Sequence, residues 1–119
     1  MLRGRTWGGA AVTLFEMKGG APFALAGLQE HWTSPEGVVV DSCTILTRAS
    51  AAPVAALHDR MPCVLSAKEL EHWLDPALTD VPKIKAMLAG DEASKLSVRP
   101  VSKLLNSVAN DDARVLEAE

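Results

Sequence analysis

Tyrosine is absent from these 119 residues, and only three Trp and two Phe are present. Any core must therefore be built mainly from Leu, Val, Ala and Met, which pack well but supply few large anchors. Cysteine is nearly as scarce: Cys43 and Cys63 stand alone, with no CxxC spacing. That excludes a disulfide-built secreted scaffold and favours a cytoplasmic setting. No apolar run reaches the ~18 residues a membrane span needs, so no membrane role is expected. The opening Met1-Leu2-Arg3-Gly4-Arg5 has no apolar core of a secretory signal. An excess of basic charge is missing too. Twelve bases stand against 15 acids, for a net charge of −3, which argues against a strongly basic nucleic-acid module. Residues 1–65 are balanced, and the acid excess sits in residues 66–119.

What is there is ordinary globular material: 48% hydrophobic and 23% charged residues, enough for one domain and one modest core. Residues 10–17 (AAVTLFEM) predict a strand, Lys18-Gly19-Gly20 a turn, and FALAGL after Pro22 a second strand pairing with the first as a hairpin. Residues 29–37 read as a loop. Val38–Val40 and Cys43–Thr47 form a β-branched run expected to be buried strand. The alanine-rich stretch 50–58 predicts a short helix capped by Ser50 and ending at His58, followed by a strand at Cys63-Val64-Leu65. Ser66-Ala67-Lys68-Glu69 matches a capping box, with Leu70, Trp73 and Leu74 on one face behind it. A further helix starts near Asp80, with Ile84, Met87 and Leu88 as its apolar stripe and Gly90 as its C-cap. Residues 96–101 (LSVRPV) predict a last strand, and the chain from Asn110 reads as a frayed tail. The fold class is α+β with a largely antiparallel sheet and short helices.

His58-Asp59-Arg60 is the densest polar cluster in an apolar stretch. A histidine there suits a general acid or base, and equally a structural turn; Asp59 can orient it, and Arg60 can clamp phosphate or tie the turn to the sheet. No metal site is expected, because His31, His58 and His72 lack zinc-ligand spacing. His31 reads as a loop residue, His72 as helix surface, and both cysteines as core. No cofactor is implied: there is no Walker motif, and the glycines near 4–9 and 19–27 lack dinucleotide-fold spacing. Trp7, Trp32 and Trp73 each have a face on which a base can stack. Trp73 lies in a helical stripe and reads as core, while Trp32 either lines a groove or caps the hairpin.

The order of segments adds more. Pro22-Phe23-Ala24-Leu25-Ala26-Gly27-Leu28, then Thr44-Ile45-Leu46-Thr47, then His58-Asp59-Arg60-Met61-Pro62-Cys63-Val64-Leu65, then Trp73-Leu74 resembles the SRAP family of SOS response-associated peptidases, or abasic-site processing proteins. Val98-Arg99-Pro100-Val101 and Asn106 resemble the weaker end of that domain. The resemblance covers nearly the whole chain but only the C-terminal part of a family domain. It implies a partly open barrel, here incomplete, with residues 1–119 as a single truncated domain.

The family's activity, as the resemblance implies it, is the sensing of abasic sites in single-stranded DNA through a covalent DNA–protein link. The α-amine and thiol of an N-terminal cysteine close a thiazolidine ring, with an asparagine, a glutamate and a histidine completing the site. Autopeptidase activity accompanies it, a hydrolase- or lyase-type chemistry. His58 matches the histidine. Thr47 matches a threonine beside the DNA cleft, Arg48 replaces the next family threonine, and Ala51 stands where asparagine is usual. Gln29 replaces a tryptophan; Arg60 and Pro62 match. Phe15-Glu16-Met17-Lys18 looks like a worn YEWK, which makes Glu16 a candidate glutamate. Counting back from AGL instead aligns residues 11–22 with a later strand and puts the family glutamate ahead of Met1. Position 2 is Leu2, not cysteine. The expectation is therefore a catalytically impaired family member with His58 as its catalytic residue and Thr47, Arg48, Arg60 and Trp32 facing DNA, cytoplasmic and nucleoid-associated when on DNA. The alternative is a non-catalytic remnant that binds single-stranded DNA weakly, or that docks to a partner as a homodimer or with a separately encoded N-terminal half.

Overall fold

A computed structural model describes residues 11–118. The expectations placed on Leu2, on the first glycine-rich stretch and on Trp7 fall outside them. In chain order the elements are β1 (Val12–Met17), β2 (Ala24–Leu25), β3 (Gly27–Thr33), β4 (Val39–Ile45), β5 (Thr47–Ala49), β6 (Arg60–Pro62), β7 (Val64–Leu65), α1 (Ala67–Trp73), α2 (Val81–Leu88) and β8 (Leu96–Val101). All described pairings are antiparallel: β1 with β8, β2 with β7, β3 with β4 and β5 with β6. Among the described residues the ladders remain two-stranded and do not close into a barrel. The α+β architecture with short helices is as expected.

Single residues at strand junctions join three of these ladders. Ala26 separates β2 from β3, Leu46 separates β4 from β5, and Cys63 separates β6 from β7. Their backbones close a ring: the Ala26 N–H donates to the Cys63 carbonyl, the Cys63 N–H to Leu46, and the Leu46 N–H to Ala26, each at 2.9 Å. At each junction the chain leaves one partner strand for another, and the ring satisfies polar groups that would otherwise be buried unpaired. Ala26 is fully buried, and with Cys63 and Leu65 it forms a core cluster covered by Ala24, Leu46, Trp73 and Leu88. A second cluster gathers Val54, Met61, Val64, Ala93 and Leu96, with Phe15 and Met17 of β1 against it. Val64 and Leu65 are neighbours on β7 and point to opposite faces, so this short strand is held between the two clusters.

Several expectations are corrected. Residues 10–17 and 23–28 do not form a hairpin; β1 pairs with β8 from Val12↔Val101 to Met17↔Leu96, because Phe15 and Met17 find their apolar partners beside Leu96. The polar stretch 29–33 is not loop but the body of β3, in a ribbon so exposed that neither face has to be apolar. For the same reason β4 is not buried, and Cys43 is exposed rather than core. His31 lies on that ribbon, its Nδ1 2.6 Å from Asp41 across the pair. The alanine-rich segment makes only a single 3₁₀ turn, Val54–Ala56. Its preceding donors are drawn elsewhere: the Ser50 N–H to the Asp59 carbonyl and the Ala51 N–H to Met61 Sδ.

Helix α1 begins as the capping box requires. Ser66 Oγ accepts from the Glu69 N–H at 3.2 Å, and Glu69 Oε2 accepts from the Ser66 N–H at 2.7 Å. Ser66→Ala should therefore cost about 1 kcal/mol, read as a drop of roughly 4–8 °C in Tm. Trp73 faces the core while Leu74, already the C-cap, is 70% exposed. Asp80 caps α2 with Pro82 in its first turn, and Ala89 rather than Gly90 is the C-cap. The C-terminal residues are docked, not frayed. Val115 is buried, the Ser102 N–H donates to the Glu117 carbonyl at 2.9 Å, and Arg99 Nη1 donates to the Leu116 carbonyl at 2.7 Å. Asp112 caps the turn there, and its hydrogen bonds from the Arg114 guanidinium, then from the Arg114 backbone, hold its carboxyl below the usual value.

Candidate functional site

The β5–β6 ladder pairs Thr47 with Pro62, Arg48 with Met61 and Ala49 with Arg60. Opposed residues share a face, so Met61 and Arg48 lie on one side while Thr47 and Arg60 lie on the other. Met61 enters the core. Arg48, on the same side, donates from Nη1 to the carbonyls of Gly90 at 2.7 Å and Leu88 at 3.3 Å. These belong to the unsatisfied end of α2, where a cation is favoured. The expectation for Arg48 was a DNA-facing residue; its guanidinium is engaged with that helix end.

On the opposite face Arg60 Nη2 donates to both the carbonyl (2.8 Å) and Oγ1 (3.0 Å) of Thr47. Accepting that bond leaves the Thr47 hydroxyl its own proton to donate. His58 lies two residues before Arg60, with Nδ1 2.9 Å from the Arg60 nitrogen and 2.8 Å from the Arg60 oxygen. Two tautomers fit this placement. With Nδ1 protonated and donating to the Arg60 carbonyl, Nε2 carries a lone pair and can act as a base. With Nδ1 accepting from the Arg60 N–H, Nε2 carries the ring's one proton and can donate a hydrogen bond. Residue 60 thus orients the imidazole through its backbone and Thr47 through its side chain, and with Nδ1–H on the Arg60 carbonyl a neutral ring can take a proton at Nε2 and return it as imidazolium.

The remaining candidates lie in other ladders. Glu16 is on β1, its Oε1 3.0 Å from Arg99 Nε on β8. Trp32 is on β3, opposite Val40 and 53% exposed. His58 and Thr47 are linked through Arg60 into one group, while Glu16 and Trp32 sit in the β1–β8 and β3–β4 ladders. The part played by Arg99 was missed from sequence, because it depends on β1 meeting a strand from the far end of the chain. Among the described residues no set of three or more His, Cys, Asp or Glu is gathered to hold a metal ion. A groove of about 680 Å³ lies elsewhere, between Phe23, Leu70 and Lys95, and none of the site residues lines it. No described helix is long and apolar enough to cross a membrane.

The motif segments have a shared physical meaning in this geometry. AGL, ILT and the CVL that ends the HDRMP stretch contribute Ala26, Leu46 and Cys63, the three members of the backbone ring. The Trp73 Nε1–H donates to the Gly27 carbonyl at 3.0 Å and seats the helix on the same spot.

Comparison with known proteins agrees with the resemblance. The family model for SOS response associated peptidase (SRAP) matches residues 9–108. The abasic site processing protein YoqW of Bacillus subtilis is 34% identical over 103 residues, which are 87% of this chain and 46% of that protein. YoaM of the same organism, also an abasic site processing protein, is 35% identical over 104 residues, with the same coverage of 87% and 46%. The chicken abasic site processing protein HMCES is 35% identical over 103 residues, 85% of this chain and 30% of its own length. This chain thus spans less than half the length of each of these relatives. A solved structure from Bacteroides thetaiotaomicron shares the fold with a TM-score of 0.77 at 22% identity, over 99% of this chain and 52% of that one.

Proposed function

Because this chain belongs to the SOS response associated peptidase (SRAP) family, we propose that it carries the His58 side of a site that engages abasic positions in single-stranded DNA. The observation that carries the reading is the placement of His58. Its Nδ1 is held by the Arg60 backbone, and the side chain of the same Arg60 holds the Thr47 hydroxyl, inside the segment that matches the family. Opening and closing a Schiff base at the aldehyde of an abasic sugar needs a group that both takes and returns a proton, which His58 would supply by taking it at Nε2 and giving it back as imidazolium. Thr47 would donate to a sugar or phosphate oxygen, Arg60 would hold Thr47 and His58 in place, and the exposed Trp32 indole offers a stacking surface.

These 119 residues are proposed to contribute the His58 side of that site and to bind abasic single-stranded DNA reversibly, acting in the cytoplasm and at the nucleoid. With a net charge of −3 their hold on DNA should be weak and salt-sensitive. The test is incubation of the purified chain with single-stranded DNA bearing one abasic site, followed by a denaturing gel and intact mass. Fluorescence anisotropy against the same oligonucleotide without the lesion runs in parallel. No adduct together with tighter binding to the abasic strand is the expected result. A covalent adduct would show that an amine within these residues attacks the lesion, and equal or absent binding to the two strands would remove the proposed role.

A further inference from the structure

The β3–β4 ribbon is the one ladder whose residues are exposed along almost their full length. Among the described residues no third strand joins it, so the outer edge of β4 presents unpaired backbone groups. Natural edges are usually blunted by lysine, proline or a bulge. β4 has none of these: it reads Val-Val-Asp-Ser-Cys-Thr-Ile, and its register with β3 runs unbroken from Val39 to Ile45. We propose that this edge pairs with itself, so that two copies of the chain associate through antiparallel β4 strands.

The register follows from the residues. A two-fold axis through the centre of the strand sets Ser42 opposite Ser42 of the second copy, Asp41 opposite Cys43, Val40 opposite Thr44 and Val39 opposite Ile45. All seven residues pair, apolar and β-branched side chains meet one another, and the single charge on the strand faces a thiol. Shifting the axis by one residue toward the N-terminus sets Asp41 against Asp41. Shifting it by one toward the C-terminus loses a pair at each end. Self-pairing through β3 about its middle residue would set Glu30 against Glu30. The β4 pairing alone avoids like charges while using the whole strand.

The resulting four-stranded sheet also continues rows that are already formed. On one face, Trp32 and Val40 of one copy run into Thr44 and Leu28 of the other; Trp32, Val40 and Leu28 are all exposed in the single chain. On the other face, the His31–Asp41 pair runs into Cys43 of the second copy. The partner is thus a second copy of this chain, and the proposal stands independently of any DNA chemistry.

Sedimentation velocity of the full chain over a wide concentration range, under reducing conditions, tests it. The unaltered chain should show a monomer–dimer equilibrium. Ser42→Lys and Ser42→Glu each set like charges opposite one another and should weaken self-association by roughly tenfold or more. An equimolar mixture of the two should recover dimers by pairing Lys with Glu. Ser42 is exposed, so circular dichroism and Tm should show both variants folded. A chain that stays monomeric at every concentration, a dimer indifferent to either variant, or a mixture that fails to recover would each overturn the proposal.

Discussion

Truncation of Met61 to alanine is expected to lower stability by about 2–5 kcal/mol, the largest effect among single substitutions in the β5–β6 region. Met61 is 2% exposed and lies in the cluster that holds β1, β7 and β8 together through Phe15, Val64 and Leu96. Removing its side chain leaves a cavity where three strands converge. It also strips the Ala51 N–H of its acceptor, Met61 Sδ at 3.3 Å. Small domains have a total stability of about 5–15 kcal/mol, so such a loss is a large share of the whole. Met61→Leu, which nearly conserves volume, should cost less than about 1.5 kcal/mol. Urea unfolding followed by tryptophan fluorescence separates the two. Equal midpoints for the alanine and leucine variants would show that the cluster does not depend on this side chain.

Trp73→Ala is expected to cost about 3 kcal/mol, the low end for loss of a core tryptophan because the ring is only half buried. Two contributions combine in it: the indole covers Ala26, Cys63 and Leu65, and its Nε1–H donates to the Gly27 carbonyl. Trp73→Phe keeps most of the cover and removes the donor, so it should cost about 1 kcal/mol. Thermal unfolding of both variants distinguishes packing from the hydrogen bond. A phenylalanine variant as unstable as the alanine one would mean that the bond to Gly27 carries the whole effect.

The helices and the last strand were legible because their signals are local. Ser66 and Glu69 announce a capping box three residues apart, Asp80 and Pro82 a helix start, and LSVRPV alternates as a strand should. The three motif segments were visible as an ordered set, but not their meeting in a backbone ring, since no side-chain pattern encodes which carbonyl an interrupted strand will reach. Pairing of β1 was misread because periodicity shows that a strand exists, never its partner, and the Gly-Gly turn after Met17 points to the nearer choice. Cys43 was misplaced for a related reason: β-branched runs signal strand, while burial depends on whether another layer covers it. At the site, the position of His58 could be read from its motif. The locking of Thr47 by Arg60 and the use of Arg48 on a helix end forty residues away needed the fold.

The pairing of Val12 with Val101 has a consequence for how the molecule is made. A ribosome adds roughly 5–20 residues per second, so the first strand emerges on the order of ten seconds before its partner exists. The segments between them, whose contacts are closer in sequence, can condense in that interval, and β1 and β8 meet last. Closing so long a loop is slow because chain entropy is spent before any contact rewards it. The nascent chain therefore carries VTLFEM as an unpaired apolar strand until Leu96–Val101 has emerged, a natural place for a chaperone to bind.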